Sequence, residues 1–213
     1  ANCSKEELLQ LLLKNNEAYE IINDLDNEGK SVLYYVLENA IQTGDPTLAL
    51  QLVNAGAKAP LVKDMQGKTL LHHAVEEALV NDEQGETLHK AVQENNRNTL
   101  NILLQCNLDL NGHDNKGKAA LHYAVEAKNT HVIEMLLKAG ADVNIKDIEH
   151  DFTPLHLAAM RRHNDIIKLL LHYNANPNLE NKYGKTAIYY AAYNSDIVEE
   201  MEHAITKLSL EDK

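Results

Sequence analysis

Residues 117–147 have the sequence GKAALHYAVEAKNTHVIEMLLKAGADVNIKD, and this stretch decides the fold. Similar stretches lie on both sides of it. Leucine or isoleucine recurs at the start of each similar stretch, at steps of 33, 34 and 33 residues, in Leu88, Leu121, Leu155 and Ile188. So regular a step indicates a repeat protein, in which each unit buries its apolar face only by stacking on its neighbours.

A second column of residues closes each unit. Glycine and asparagine are the residues that best tolerate the left-handed backbone conformation that ends many helices. Upstream of each of them, apolar residues such as Ile133 and Leu136 recur at helical spacing. Each unit is therefore predicted to end with a helix whose last turn is closed by a member of the column Gly56, Asn107, Gly140 and Asn174.

The start of the first helix is clearest at Thr153 and Pro154, where a hydroxyl can cap a free amide and proline needs no N–H. This segment, TPLHLAA at 153–159, resembles the ankyrin repeat, as do ALHYAV at 120–125 and AGADVN at 139–144. The resemblance implies an all-α ankyrin-repeat solenoid. Each of its units is a helix-turn-helix preceded by a short β-hairpin finger.

We predict a single domain over residues 1–213 with about six repeats. The first unit is expected to be a cap with helices over Glu6–Leu13 and Glu17–Asn23, and the last helix has the polar outer face that a terminal cap needs. The predicted repeats are 1–27, 28–64, 65–114, 115–147, 148–181 and 182–213.

The third repeat contains two candidate first helices and therefore an insertion. Leu71 follows Gly56 by the usual 15 residues, whereas Leu88 precedes Asn107 by the usual 19. Spacing leaves both open. We favour Leu71 as the start of the inner helix and treat the later helix as an outgrowth.

Composition excludes several functional classes. The 32 acidic and 20 basic residues give a net charge of −12, which opposes nucleic-acid binding. The longest apolar stretches are too short to insert into a membrane. Cys3 and Cys106 are too few for a disulfide framework and lack zinc-ligand neighbours. We expect a monomer in the cytoplasm or nucleus, or in the host cytosol if the chain is a secreted microbial effector.

The histidines do not indicate a metal site. Of the eleven histidines, three occupy one column of the repeat and a fourth occupies the equivalent column of the competing helix. The resemblance implies that this histidine bonds locally and orders the turns between repeats. The sequence also has no glycine-rich phosphate loop, nucleophile elbow or Cys–His constellation. We therefore predict no metal, no cofactor and no enzymatic activity. The histidines of this column are His89, His122 and His156, with His72 in the competing helix.

The resemblance implies that function lies in the variable columns, where finger tips and the exposed side of the first helices line a concave face that binds a protein or peptide. Phe152 is the only phenylalanine, and it lies in a finger that is one residue longer than its neighbours. Aromatic residues and arginine are typical of binding hot spots. Alternatively, Phe152 folds back onto its own repeat. The candidate partner-binding residues are Lys118, Lys128, Phe152, Met160, Arg161, Arg162, Tyr183, Lys185, Tyr193, Glu76 and Glu77.

Charge is distributed unevenly along the chain. Residues 1–106 contain 8 basic and 16 acidic groups, while residues 109–195 contain 10 of each. Within the concave columns Glu76 and Glu77 come early, and Arg161 and Arg162 come late. Such segregation orients a dipolar partner, or it serves only solubility.

We therefore predict a protein–protein interaction module that serves as a scaffold, adaptor or effector. Two alternatives stay open because a fold does not name its partner. One is the class of ankyrin inhibitors that mask transcription factors. The other is a targeting segment of a larger enzyme whose catalytic domain lies outside this chain.

Overall fold

The computed structural model describes residues 23–27, 29–43, 45, 47–57, 62–78, 98, 100–104 and 108–211. Within this part of the chain all regular structure is helical, as the all-α prediction requires. The expected β-hairpin fingers are turns in which no described residue lies in a β-strand, because each is only a few residues long. No described helix is long and apolar enough to cross a membrane. The helices whose bounds are fully described are α1 (Val32–Thr43), α2 (Thr47–Asn54), α3 (Leu70–Ala78), α4 (Ala120–Glu126), α5 (Thr130–Lys138), α6 (Pro154–Met160), α7 (Asn164–His172), α8 (Ala187–Ala191) and α9 (Ser195–Glu211). Residues 98 and 100–104 are also helical.

The chain divides into two compact units, which are described separately. The first comprises Ala1–Asp64 with Thr69–Asp109, and the second comprises Met65–Lys68 with Leu110–Lys213. In the first unit α1 packs against both α2 and α3. The helix α3 contains Leu71, the favoured start of the third repeat's inner helix. The helices predicted before residue 24 and at Leu88 lie outside the described residues.

The second unit consists of two layers of helices. Each first helix packs against the second helix that follows it, in the pairs α4 with α5, α6 with α7, and α8 with α9. The first helices α4, α6 and α8 also pack against one another in order, and so do the second helices. Ala124, Ala158 and Ala159 are fully buried between these layers. Their small side chains allow the helices to approach closely.

The first helix α6 begins where the sequence predicts. The Thr153 hydroxyl accepts a hydrogen bond from the backbone N–H of His156, and Pro154 occupies the first turn. In return, Nδ1 of His156 accepts from the backbone N–H of Thr153 at 3.2 Å. This reciprocal capping satisfies donors that would otherwise be left free at the helix start.

The second helices end as the column of glycine and asparagine predicts. Gly56, Gly140 and Asn174 have φ values of 87°, 96° and 62°. At Gly140 the next residue, Ala141, donates its N–H to Leu136 O, and Gly140 itself donates to Leu137 O. This pair of bonds satisfies carbonyl groups at the helix end. The fourth member of the column, Asn107, lies outside the described residues.

The fingers of the second unit form a hydrogen-bonded row. Each finger is a turn closed on itself, as where Asp147 donates its N–H to Phe152 O. Neighbouring fingers are joined by backbone bonds: Asn115 N to Gln66 O, Ile148 N to Gly117 O, and Lys182 N to His150 O. The name finger row is used below for residues 65–68, 114–118, 147–152 and 181–185.

Candidate functional site

The candidate site lies on the second unit, on the surface made by the finger row and by α4, α6 and α8 together with the residues that directly follow them. This surface is called the inner face below. Nine of the eleven predicted binding residues are on it. The other two, Glu76 and Glu77, are in α3 of the first unit, where Glu76 is half-buried.

Buried histidines tie the first helices to the fingers. The Nδ1 atom of His122 accepts from the N–H of Ala119, so its Nε2 carries the proton and donates to Phe152 O at 3.1 Å. His156 likewise donates from Nε2 to Lys185 O at 3.0 Å. Burial lowers the pKa of both imidazoles and so favours their neutral form. The column orders the turns between repeats, as the resemblance implied.

Tyrosine hydroxyls form a second set of hydrogen bonds between fingers and first helices, which the sequence did not reveal. The Tyr123 hydroxyl donates to the carboxylate of Asp114, nine residues earlier. The Tyr190 hydroxyl accepts from the Asn181 side-chain amide, at the same separation and a distance of 3.0 Å. Both pairs hold a finger against the first helix that follows it. The constant spacing of nine residues is the signal that could have identified them.

One carboxylate links two neighbouring repeats. Glu126, at the end of α4, accepts from Nζ of Lys118 at 2.8 Å and from the guanidinium of Arg161 at 3.0 Å. The Glu126 side chain is 21% exposed, so solvent screens these charges less than it would on an open surface. Two predicted binding residues, Lys118 and Arg161, are therefore both paired with the carboxylate of Glu126.

Phe152 is half-buried among other rings. It stacks on His150 with a centroid distance of 5.3 Å and lies 5.9 Å from His156, both of its own repeat. It also meets Tyr190 edge-on at 6.0 Å and Tyr183 at 6.4 Å, both of the next repeat. The ring thus joins two repeats and does not project freely from the finger tip. Tyr183 remains 61% exposed above it.

A cleft of about 380 Å³ opens between the finger of Phe152 and the helix α6. Its apolar lining comes from Phe152, Leu157 and Met160. Met160 is 46% exposed, whereas Leu157 is buried. The remaining lining residues are charged or titratable: Lys118, Glu126, Asp147, Glu149, His150 and Arg161.

Three cations of the candidate set lie over tyrosine rings, and Nζ of Lys118 is 5.6 Å from the centroid of Tyr123. The Arg162 guanidinium is 4.7 Å from the centroid of Tyr193, and Nζ of Lys185 is 4.1 Å from that of Tyr189. Tyr193 is fixed by a 2.7 Å hydrogen bond from its hydroxyl to Asn164, and burial raises its pKa. The rings hold these cations by attraction to their negative faces.

Comparison with known proteins agrees with this architecture. A family model described as ankyrin repeats (three copies) matches residues 76–147 and 148–207, which is more than half of the chain. The chain belongs to the ankyrin repeat family. It is similar to an ankyrin repeat protein of Acanthamoeba polyphaga mimivirus, with 27% identity over 207 residues, covering 86% of this chain and 26% of the relative. The chain thus spans about a quarter of that relative's length.

Ankyrin repeats generally mediate protein–protein interaction and are not catalytic modules. On this ankyrin domain the nine inner-face residues form three groups. Lys118 and Arg161 are bound to Glu126. Phe152 and Met160 line the cleft, and Tyr183 lies beside the Phe152 ring. The third group flanks the first helices and consists of Lys128, Arg162, Lys185 and Tyr193. The number of repeats predicted from the sequence stays a prediction.

Proposed function

We propose that this ankyrin domain binds another protein or peptide through the inner face of its second unit and has no catalytic activity of its own. The observation that carries this proposal is the exposure of large apolar side chains there. Met160, Tyr183 and Tyr193 are 46%, 61% and 37% exposed. Such side chains cost free energy in water unless a partner covers them.

The composition of the face also supports binding. Tyrosine, methionine and arginine are enriched at protein interfaces because they offer a large contact area together with polar or adaptable groups. The Phe152 ring contacts both Tyr183 and Tyr190, and Arg161 is held by Glu126, so much of the face is ordered before a partner arrives. A preordered surface loses less conformational entropy on binding.

The buried histidines and the buried aspartate Asp147 of the face already have partners, which favours binding over chemistry. Both ring nitrogens of His122 and of His156 are bonded to backbone or side-chain groups. The buried carboxylate of Asp147 accepts from the backbone N–H of His150 and of Phe152. A general acid or base needs a proton that can move to a substrate. These groups hold the fold instead.

Action in the cytosol or nucleus is part of the same proposal, in a host cell if the chain comes from an infecting agent, and the viral relative supports that reading. Whether the domain is a scaffold, an adaptor, an inhibitor or an effector depends on its partner. The acidic pair Glu76 and Glu77 in α3 is proposed to influence how fast a partner associates, because charges outside the centre of an interface act mainly on the association rate.

The proposal is tested by comparative affinity capture. The chain and its double variant Met160→Ala/Tyr183→Ala are immobilised in parallel and exposed to the same extract, and the captured proteins are quantified by mass spectrometry. Lys138→Glu, on the exposed side of α5, is the control. We expect a protein that the original chain and the control capture and the double variant does not. Capture that survives the double variant but not the control would place the binding surface on the second helices.

A further inference from the structure

We propose that the inner face of the second unit takes an acidic segment, in which aspartate or glutamate residues flank one large apolar side chain. This inference rests on the proposed function and adds the chemistry of the partner. The charge of the inner face contrasts with that of the whole chain. The whole chain has a net charge of −12, yet basic residues are in excess on this face. Besides the buried Lys68, they are Lys116, Lys118, Lys128, Arg161, Arg162, Lys182 and Lys185.

The acidic residues of the same face are largely used within the fold. Asp114 and Asp147 are buried, and their carboxylates accept hydrogen bonds from backbone N–H groups of their own fingers. Glu126 is bound by Lys118 and Arg161. The acids left to meet a partner are Glu149 and Asp151, and the latter lies 3.9 Å from Nζ of Lys182. The field that a partner meets is therefore positive.

Several of the cations are available for pairing. Within the described part of the chain, Lys128, Arg162 and Lys185 make no ion pair. Arg162 and Lys185 lie over the rings of Tyr193 and Tyr189, which orders them without neutralising them. A cation that is already ordered loses less side-chain entropy when a carboxylate binds to it.

The positions of these cations favour a row of carboxylates over a single phosphate. Lys185 precedes α8, whereas Lys128 and Arg162 follow the ends of α4 and α6. The three cations therefore belong to three successive repeats, and packed helices lie about 8–10 Å apart, which is wider than a small anion. Phosphate recognition uses donors that converge on one point. Spread cations fit charges that are spread along an extended segment.

The cleft supplies the apolar part of the recognition. Its lining by Phe152, Leu157 and Met160 and its volume of about 380 Å³ suit one large side chain such as leucine, methionine or phenylalanine. Lys118 and Arg161 stand at the same cleft. If the partner's apolar side chain enters the cleft, carboxylates next to it in the partner's sequence would lie near these cations. One acidic segment can therefore bind both the cleft and the cations.

Replacing Glu126 tests whether the partner segment is negatively or positively charged. The Glu126 carboxylate competes with any partner carboxylate for Lys118 and Arg161. Glu126→Gln removes that competitor while keeping the shape of the side chain. Affinity for an acidic segment should therefore rise, and affinity for a basic segment should fall.

The experiment uses random peptides displayed on phage and selected in parallel on the chain and on Met160→Ala/Tyr183→Ala. Peptides enriched on the original chain alone should contain aspartate or glutamate around leucine, methionine or phenylalanine. One such peptide is then synthesised with a fluorescent label, and its Kd is measured by anisotropy. We expect Arg162→Glu to weaken binding about tenfold, equivalent to about 1.4 kcal/mol, and Glu126→Gln to strengthen it. Lys138→Glu, with the same change in charge as Arg162→Glu, should leave the Kd unchanged.

Different failures separate the two proposals. Enrichment of basic or neutral peptides, or weaker binding by Glu126→Gln, would overturn the acidic segment while leaving the inner face as a binding surface. Tighter binding of a single-stranded oligonucleotide of equal charge would overturn it in favour of another class of partner. If no peptide distinguishes the original chain from the double variant, the inner face itself is wrong and both proposals fail. Thermal midpoints of the variants establish that each is folded.

Discussion

The close approach of neighbouring fingers predicts that Gly117→Ala destabilises the chain far more than Gly184→Ala. Both glycines occupy the same place in their fingers and have a left-handed backbone, with φ values of 72° and 64°. Their surroundings differ. A Cβ atom at Gly117 would lie 2.7 Å from Cβ of Ile148 and 3.0 Å from its backbone nitrogen. A Cβ atom at Gly184 would have no neighbour within 4 Å.

The stability cost of each substitution has two parts, which are backbone strain and steric overlap of the new Cβ atom with its neighbours. A non-glycine residue in the left-handed region costs about 1–2 kcal/mol, and this cost is common to both variants. Overlap with a packed neighbour adds about 1–3 kcal/mol at Gly117 alone. Ile148 cannot move without breaking the bond from its N–H to Gly117 O. The difference between the two variants should therefore be about 1–3 kcal/mol.

The free energy of unfolding is measured by urea denaturation, and thermal midpoints provide a second readout. For a domain of this size, 1 kcal/mol corresponds to about 2–4 °C. Asp151 has φ of 56° at the equivalent place in its own finger, so a side chain there is tolerated when space allows. Equal losses for the two variants would refute the reasoning, because they would show that the fingers do not approach as closely as the structure has them.

Two further predictions concern the rings. Because burial lowers the pKa of His122 and His156 below the usual 6.5, the unfolded chain takes up protons that the folded chain does not as pH falls through 6.5. The free energy of unfolding should therefore decrease below that pH. His122→Gln should make the decrease smaller. If the variant shows the same pH dependence as the original chain, burial of His122 does not oppose its protonation. Phe152→Ala should cost roughly 1–3 kcal/mol because its ring is half-buried, whereas Tyr183→Ala at 61% exposure should cost less than about 0.5 kcal/mol. Equal costs in urea denaturation would mean that the ring does not bridge the two repeats.

The repeat columns made much of the fold predictable from sequence. A left-handed helix end restricts which residues fit, so the column that includes Gly140 and Asn174 identified the ends of the second helices. Capping chemistry likewise identified Thr153 and Pro154 as the start of α6. These rules are local, since they depend on residues within a few positions of one another. The family comparison confirms the all-α ankyrin solenoid that the resemblance implied.

The chemistry of the candidate site was less predictable because it depends on contacts between repeats. Glu126 and Arg161 are 35 residues apart, and spacing alone does not show that their side chains meet. The direction of the Phe152 ring is set by Tyr183 and Tyr190 of the following repeat. The sequence therefore identified the residues of the inner face without showing which are already paired.

Binding through the inner face is tested most directly by the affinity of a purified, captured partner for defined variants, measured by isothermal titration calorimetry. Met160→Ala and Tyr183→Ala should each weaken binding by more than about 1 kcal/mol, the usual threshold for an important interface residue. Their thermal midpoints should stay close to that of the original chain, since both side chains are exposed. Lys138→Glu on α5 should bind the partner as the original chain does. A partner whose affinity survives the double variant Met160→Ala/Tyr183→Ala and is abolished by Lys138→Glu would contradict the inner-face site.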